Sequence, residues 1–409
     1  MPVAVVILLI ALITIALRRV IRIVVPIWVI MAFAAIASIL FQQITPLRAI
    51  EVIEPEVMLY LFGVFFIAQA AEDSGYLEYL TRKIFHFTQT GKQALLLITF
   101  VLGISAALLM NDTIAIIGTP IIVQLCKSHK NLTKPLLFAL AFSITIGSVL
   151  SPVGNPQNLL IAVKGEMTSP FLDFIRPLAI PTLINLAISY FLIYFVYKDI
   201  LDKPIEKNTS LQISNHGTVI LVKVSLIVMF CLVVLKIIMD LIHSPYRINF
   251  SYIAITSALP LLLSKQRVSY IKRLDWGTLI FFASTFVLMR SVWDSGFFQN
   301  TIMHNHISFM NPLVILLFSI ILSQFISNVP LVALYLPLLM HYSYSNSQLL
   351  TLAVGSTIAG NLSILGAASN IIIIQNSEKR GVKGFGFWEF IKLGLPLTVI
   401  NILIYLCFL

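Results

Sequence analysis

Residues 110–120 of this 409-residue chain read Met-Asn-Asp-Thr-Ile-Ala-Ile-Ile-Gly-Thr-Pro, and they interrupt a long apolar stretch. Residues 327–337 read Ser-Asn-Val-Pro-Leu-Val-Ala-Leu-Tyr-Leu-Pro and interrupt a second one. Asn111 and Asn328 are 217 positions apart, as are the prolines that end the two segments. Two polar breaks at matching places predict that the chain contains two copies of one structural unit.

A second pair of breaks supports the same repeat. Residues 151–158 read Ser-Pro-Val-Gly-Asn-Pro-Gln-Asn, and residues 363–370 read Ser-Ile-Leu-Gly-Ala-Ala-Ser-Asn. The serine, the glycine and the last asparagine of the first segment recur 212 positions later. Paired repeats with two interrupted apolar segments each are typical of secondary transporters, in which broken helices enclose a site near the middle of the bilayer.

The composition excludes a soluble domain. Apolar residues make up 59% of the chain, charged residues make up 11%, and the mean hydropathy is +0.97. A helix needs about 20 apolar residues to cross a lipid bilayer. We therefore expect spans at roughly 3–17, 24–44, 57–71, 135–164, 171–197, 218–242, 249–264, 276–292, 348–376 and 387–408, and re-entrant hairpins at about 94–125 and 311–342.

The net charge of +10 reflects membrane topology, and no nucleic-acid partner is predicted. With the N-terminus outside, the inner loops carry most of the 27 Lys and Arg residues, and the outer loops carry only Arg48, Lys164 and Arg247. Basic residues concentrate in cytoplasmic loops. The distribution therefore predicts a multi-pass protein of the cytoplasmic (inner) membrane with both termini outside.

The predicted fold class is an all-α polytopic membrane protein built from two inverted-topology repeats. The first repeat covers 1–198, a polar cytoplasmic linker covers 199–217, and the second repeat covers 218–409. Each repeat has five transmembrane helices and one re-entrant hairpin, and its broken helix lies at about 135–164 or 348–376. The first repeat starts outside and the second starts inside, which makes their topologies inverted.

The breaks combine Asn, Ser and Thr with a single Asp, a polarity that helix packing alone does not explain. At a break, one helix end presents free carbonyls that suit a cation, and the next presents free N–H groups that suit an anion. The residues expected to bind the substrate or an ion are Asn111, Asp112, Thr113, Ser151, Gly154, Asn155, Asn158, Ser327, Asn328, Ser363, Gly366, Ser369 and Asn370. The two glycines of this set are expected to permit the backbone turns.

Asp112 is a carboxylate in the middle of a predicted membrane segment. Charged residues at that depth are costly and usually functional. Three roles fit it: a ligand for Na⁺, a carrier of H⁺, or the N-cap of a helix over 113–125. No other metal and no organic cofactor is predicted, so the expected coupling ion is H⁺ or Na⁺. An enzyme is not predicted, because an intramembrane protease needs a pair of catalytic groups.

The four motifs, in this order, resemble those of the ion transporter superfamily. It includes arsenite permeases, divalent anion/sodium symporters, citrate transporters and a sodium/proton antiporter branch. The resemblance rests on residues 111–120, 151–158, 327–330 and 360–366, and it covers nearly the whole chain. It implies two re-entrant hairpins, a scaffold domain that forms a homodimer, and a transport domain that moves like an elevator.

The hairpin tips distinguish branches of the superfamily. Dicarboxylate symporters carry Ser-Asn-Thr at both tips, whereas this chain has Asn-Asp-Thr at 111–113 and Ser-Asn-Val at 327–329. These tips are more similar to those of the arsenite-permease branch and its anion-permease relatives. The resemblance therefore implies a secondary transporter for a small inorganic or organic anion, or for arsenite or antimonite.

Other functions stay open at this point. Within the superfamily, the alternatives are sodium-coupled di- or tricarboxylate symport and sodium/proton antiport. In a different class, the alternative is an anion channel, which saturable and gradient-driven flux would exclude. The sequence carries no nucleotide-binding motif, so coupling to ATP would require a separate ATPase subunit.

Overall fold

The fold is taken from a computed structural model. The structure describes residues 1–409 with the exception of 21–24, 77–79, 81–82, 84–87, 128, 205–215, 243, 245, 298, 301–308 and 342–343. Six described helices are long and apolar enough to cross a membrane: Pro55–Asp73, Gly91–Leu109, Pro170–Val196, Thr218–Leu241, Trp276–Asp294 and Phe387–Leu406. The protein is thus an all-helical polytopic membrane protein over the part of the chain that is described.

The first half forms eleven described helices. They are α1 (Val3–Val20), α2 (Ile27–Leu40), α3 (Pro46–Glu51), α4 (Pro55–Asp73), α5 (Gly91–Leu97), α6 (Gly103–Leu109), α7 (Asn111–Leu125), α8 (Lys130–Ser148), α9 (Pro156–Lys164), α10 (Pro170–Val196) and α11 (Lys198–Leu201). A π-helical turn, Ile98–Leu102, connects α5 to α6. Proline opens α3, α4, α9 and α10, because its missing N–H has no partner at a helix start in any case.

The second half forms nine described helices. Its described helices are α12 (His216–Leu241), α13 (Phe250–Ala258), α14 (Arg267–Arg273), α15 (Trp276–Asp294), α16 (Pro312–Ile326), α17 (Asn328–His341), α18 (Asn346–Leu362), α19 (Ala368–Lys379) and α20 (Phe387–Leu406). Short 3₁₀ segments extend α13 over Leu259–Leu263 and separate α18 from α19 at Ile364–Gly366. The predicted linker at 199–217 begins with α11, and 205–215 lie outside the described residues.

The helices next to the breaks pack against partners from the other half. α7 packs against α19, and α9 packs against α17. The helices that lead into the second pair of breaks, α8 and α18, also contact each other. Val153 and Leu159 of the first half therefore share one buried core with Val329 and Leu336 of the second.

Two groups of helices can be distinguished by their packing. In the central group, which carries the breaks, α6 packs against α8, and α16 packs against α18. A side chain at Gly147 would meet the carbonyl oxygen of Gly103 at 1.8 Å, so glycine is required for α8 to approach α6 this closely. In the flanking group, α2 contacts α15, and α4 contacts α13.

Ion pairs join both ends of α4 to the ends of the broken helices. Glu54, which precedes α4, pairs with Lys164 at the end of α9. Glu72, in the last turn of α4, pairs at 3.5 Å with Arg380, which follows α19. Lys164 and Arg380 are 216 positions apart, so equivalent ends of the two broken helices contact opposite ends of one helix.

Candidate functional site

The first break separates α6 from α7 at a single residue. Met110 has φ 65° and ψ 145°, a region that residues other than glycine rarely occupy and that costs about 1–3 kcal/mol. The N–H of Asn111 donates to the carbonyl of Gly154 at 2.9 Å, which ties this tip to the break between α8 and α9. The Asn111 side chain accepts a hydrogen bond from the N–H of Asp112, also at 2.9 Å.

Asp112 and Thr113 are buried in the first turn of α7. The N-cap role considered for Asp112 is wrong, because α7 starts at Asn111 and its N-cap is Met110, with no side-chain cap bond. Across the described part of the chain, neither an ion pair nor a hydrogen bond involves the Asp112 carboxylate. The hydroxyl of Thr113 likewise lacks a protein partner there. A cation or a proton could occupy this carboxylate without breaking a bond within the protein.

The break between α8 and α9 is held by its own side chains. The Oδ1 of Asn155 caps α9 by accepting from the N–H of Asn158 at 2.8 Å. The amide of Asn158 donates to the carbonyls of Ser148 and Ser151 at 3.2 and 3.1 Å. A side chain at Gly154 would lie 2.0 Å from the Ser148 carbonyl oxygen, so only glycine fits there. The conformational role expected for this glycine agrees with that geometry.

Thr357 of α18 joins this break to the second half. Its Oγ1 accepts from Asn155 Nδ2 at 3.0 Å and from Gln157 Nε2 at 3.4 Å, and it donates to Asn158 Oδ1 at 3.2 Å. Neither Thr357 nor Gln157 was among the residues expected from the sequence. Gln157 lies inside the quoted motif, whereas Thr357 lies outside all four motifs, on a helix that also carries Thr351 and Ser356.

The tip between α16 and α17 repeats the unusual backbone of the first tip. Ser327 has φ 69° and ψ 164°, and Asn328 follows it as the first residue of α17. Asn328 is buried, and its Oδ1 has no hydrogen-bond partner among the described residues. Gln324, one turn before the tip, donates to the carbonyl of Ala359 at 2.9 Å and accepts from the hydroxyl of Ser363 at 2.7 Å.

The break between α18 and α19 leaves oxygen atoms unused. Asn370 Nδ2 donates to the carbonyls of Gly360 and Ser363 at 2.7 and 3.4 Å, but its Oδ1 has no described partner. The hydroxyl of Ser369 also lacks one, and both residues are fully buried. A side chain at Gly366 would lie 2.2 Å from the Ala359 carbonyl oxygen. Buried polar atoms of this kind normally find a partner in ordered water or in a bound solute.

The helices that carry the expected site residues contact each other in pairs. Helix α7, which begins with residues 111–113, contacts α19, which carries Ser369 and Asn370. Helix α9, which carries Asn158, contacts α17, which begins with Asn328. The expected set contains one carboxylate and otherwise neutral amides, hydroxyls and glycines. Such groups can bind a hydroxylated solute or a small anion by hydrogen bonds, and the carboxylate can bind a cation.

Known proteins of similar sequence are membrane proteins and transporters. A 46 kDa membrane protein of Mycobacterium leprae (strain TN) is 25% identical over 369 residues, covering 86% of this chain and 84% of its own. The silicon efflux transporter LSI3 of Oryza sativa subsp. japonica is 25% identical over 443 residues, covering 90% and 88%. The P protein of Mus musculus is 23% identical over 471 residues, covering 92% of this chain and 56% of its own.

The family model for the citrate transporter family matches residues 4–349 of the chain. This match confirms the resemblance to the ion transporter superfamily, whereas the assignment to the arsenite-permease branch stays a prediction. Several of the relatives are named as transporters. With its helical fold and its paired breaks, the chain belongs to the citrate transporter family and is a membrane transporter.

Proposed function

We propose that the protein is a secondary active transporter that moves a small solute through a site shared by its two halves. The observation that carries this proposal is the set of buried, unpartnered oxygens on both halves: Thr113 Oγ1, Asn328 Oδ1, Ser369 Oγ and Asn370 Oδ1. Each lies at or next to a helix break. A bound solute would supply the hydrogen bonds that these atoms lack, and each bond contributes about 0.5–1.5 kcal/mol.

The substrate class that fits best is a small hydroxylated acid or oxyanion, such as arsenous acid or its antimony analogue. The thirteen expected site residues include no Lys, Arg or His, which would pair with a multiply charged carboxylate. Neutral amides and hydroxyls suit As(OH)₃, which is mostly uncharged at neutral pH. The name of the rice relative concerns silicon, whose acid is also hydroxylated and uncharged, and this supports the same class.

Transport of citrate or another di- or tricarboxylate is the second candidate, and the description of the matching family favours it. Coupling to Na⁺ or H⁺ at Asp112 belongs to both candidates, because this carboxylate is buried and free of protein partners. Sodium/proton antiport would use the same carboxylate without a solute. A passive anion channel is the alternative of a different class.

The proposed architecture is two inverted repeats, 1–198 and 218–409, with re-entrant hairpins formed by α5–α7 and α16–α17. Three observations support it: the shared sequence offsets, the similar φ and ψ values at Met110 and Ser327, and the packing of α7 on α19 and of α9 on α17. Irregular backbone at membrane depth is tolerated only where protein or an aqueous cavity surrounds it. We further propose that the central group of helices slides past the flanking group, which forms a homodimer.

The proposed orientation places both termini outside the cytoplasmic membrane. Single cysteines at positions 48 and 203 test it, because the first is assigned to an outer loop and the second to the inner linker. An impermeant thiol reagent applied to intact cells is expected to label position 48 and to spare position 203. The reverse pattern would invert the topology and reassign the hairpins.

The function itself is tested with purified protein in proteoliposomes. Arsenite, silicic acid, citrate and sulfate serve as probes, each with an imposed pH gradient, an imposed Na⁺ gradient or no gradient. Saturable uptake that exceeds equilibrium under one gradient is expected for one hydroxylated probe. Uptake of citrate alone would favour the second candidate, and linear flux that never exceeds equilibrium would identify a channel. Liposomes without protein are the control.

A further inference from the structure

Thr357 is the point where the second half of the chain contacts the first break between α8 and α9. It lies on α18, is 1% exposed, and adds a hydroxyl to a stretch of α18 that is buried on all sides. Its three hydrogen-bond partners are Asn155, Gln157 and Asn158, all from the other half. No other described hydroxyl of the site bonds to more than one amide of a break.

The hydrogen-bonding capacity of Thr357 is fully used by these contacts. A threonine hydroxyl has one hydrogen to donate and two lone pairs that accept. Thr357 donates to Asn158 and accepts from Asn155 and Gln157, at 3.2, 3.0 and 3.4 Å. It therefore has no group left for a solute, and its effect must pass through the three amides that it holds.

The three side-chain amides differ in how many hydrogen-bonding atoms remain unused. Asn155 uses Oδ1 on the N–H of Asn158, and Nδ2 on Ser148 and Thr357. Asn158 uses Nδ2 on two carbonyls and Oδ1 on Thr357. Gln157 makes a single hydrogen bond, to Thr357, among the described residues. Its carbonyl oxygen and its second amide hydrogen remain available.

We propose that Thr357 is a positioning residue that orients these three amides, and that Gln157 is the side chain of this break that contacts the transported solute. Asn155 and Asn158 then serve to shape the break. The inference rests on the proposed transport function, and it adds two residues that were not among the site residues expected from the sequence. One N–H and one C=O side by side on Gln157 match the paired oxygen and hydroxyl of a hydroxylated acid.

The chain offers a matched control at Thr145. This residue lies 212 positions before Thr357, on α8, and is fully buried. Its hydroxyl donates to the carbonyl of Ala141 at 2.9 Å, within its own helix, and contacts no amide of a break. Thr145→Val therefore removes the same hydroxyl from an equivalent helix without disturbing the first break.

The experiment measures the uptake of radiolabelled arsenite and citrate by proteoliposomes. The variants are Thr357→Val, Thr357→Ser, Gln157→Ala, the double variant Gln157→Ala/Thr357→Val, and Thr145→Val. Thr357→Val is expected to raise the half-saturating concentration about 2- to 13-fold, the range of one hydrogen bond, with a smaller change in maximal rate. Thr357→Ser is expected to restore the wild-type value within about twofold, and Thr145→Val to leave it unchanged.

The double variant separates positioning from direct contact. If Thr357 acts through Gln157, the double variant will match Gln157→Ala alone. Multiplied effects of the two single changes would show independent action and would overturn the inference. So would a Thr357→Val variant that behaves like Thr145→Val.

A wild-type protein that moves neither probe would remove the transport proposal for these solutes, and with it the solute contact of Gln157. The positioning role would then be decided by thermal unfolding of Thr357→Val, Asn155→Ala and their double variant in detergent. A combined shift in unfolding temperature that is smaller than the sum of the single shifts supports the positioning role. Additive shifts refute it.

Discussion

The break at 151–158 and the break at 363–370 form the same turn, but they differ in how many of their polar side-chain atoms form hydrogen bonds. Asn158 donates to the carbonyls of Ser148 and Ser151, and Asn370 donates to those of Gly360 and Ser363. Each carbonyl of the second pair lies 212 positions after its counterpart in the first. The same asparagine thus stabilises the same turn in both halves.

The difference lies in the residues around that asparagine. Asn155 of the first break corresponds to Ala367 of the second, so the second break lacks an amide cap of this kind. The side-chain oxygen of Asn158 accepts a hydrogen bond from Thr357, whereas the side-chain oxygen of Asn370 and the hydroxyl of Ser369 have no described partner. Serine, glycine and asparagine are therefore sufficient to form the turn, and the remaining positions decide which atoms are free to bind a solute. The second break has the larger unused capacity.

The largest effect is expected at the one carboxylate, which has no counterpart in the other half. The position equivalent to Asp112, 217 residues later, is Val329. Asp112→Asn keeps the shape of the side chain and removes the charge that would bind Na⁺ or H⁺. We expect gradient-driven accumulation in proteoliposomes to fall by on the order of tenfold or more, since buried charges in membranes are usually functional. The accumulation ratio under each imposed gradient measures this.

The matched control for Asp112→Asn is Asp294→Asn, at a half-exposed carboxylate that pairs with Arg290 in its own helix. That change is expected to leave accumulation unaltered. An Asp112→Asn protein that concentrates solute as well as wild type does would assign a purely structural role to this carboxylate.

The next effect compares the two asparagines directly. Asn158→Ala and Asn370→Ala each leave two buried carbonyls without a side-chain donor, which costs about 1–3 kcal/mol of unfolding free energy. Asn158→Ala also removes the oxygen that accepts from the Thr357 hydroxyl, and we expect it to cost about 0.5–1.5 kcal/mol more. Chemical or thermal unfolding in detergent gives the difference. Equal losses would mean that the contact with Thr357 contributes nothing to stability.

A smaller effect is expected at Ser369, where the comparison predicts opposite signs for affinity and stability. If its free hydroxyl contacts the solute, Ser369→Ala will raise the half-saturating concentration about 2- to 13-fold. The same change removes a buried hydroxyl that has no described protein partner, so the protein without solute is expected to unfold at the same or a higher temperature. An unchanged half-saturating concentration would exclude this hydroxyl from the site.

No loss of stability is expected at the tips, where the two halves are most alike. Glycine at position 327 would relieve a backbone strain of about 1–3 kcal/mol but would lose about 0.5–1 kcal/mol through the unfolded chain. Ser327→Gly is therefore expected to be neutral or stabilising by up to about 2 kcal/mol. Ser323→Gly, one turn earlier in the same helix, is the control, and it has ordinary helical backbone with no strain to relieve. A loss at both positions would show that the Ser327 backbone is unstrained.

The sequence was sufficient to locate the long helices and the four breaks. Glycine, proline and asparagine within apolar stretches mark the places where helices cannot continue, and the observed ends of α6, α8, α16 and α18 follow them closely. The start of α8 was less predictable. This helix begins at Lys130 and contains Pro135, although a proline at this place removes one backbone hydrogen bond and crowds the preceding turn.

The hydrogen-bond network could not be read from the sequence. Thr357 and Gln324 lie outside the four motifs, and each forms hydrogen bonds with residues of other segments, up to 202 positions away. Only the packing of α8 and α9 on α18 brings such groups together. The N-cap expectation for Asp112 failed for a related reason, since the helix start depends on the conformation of Met110 rather than on residue type.

The ion pairs at the two ends of α4 bear on the sliding motion proposed above. α4 has 19 residues and is therefore about 27 Å long, so a slide of a few ångströms along it would separate Glu54 from Lys164 and Glu72 from Arg380 together. Partly exposed pairs contribute about 1 kcal/mol or less each. Together the two pairs would slow the proposed slide of the helices by at most about 30-fold. Salt screens such pairs, so raising the ionic strength is expected to speed the slide and to leave the affinity of the buried site unchanged.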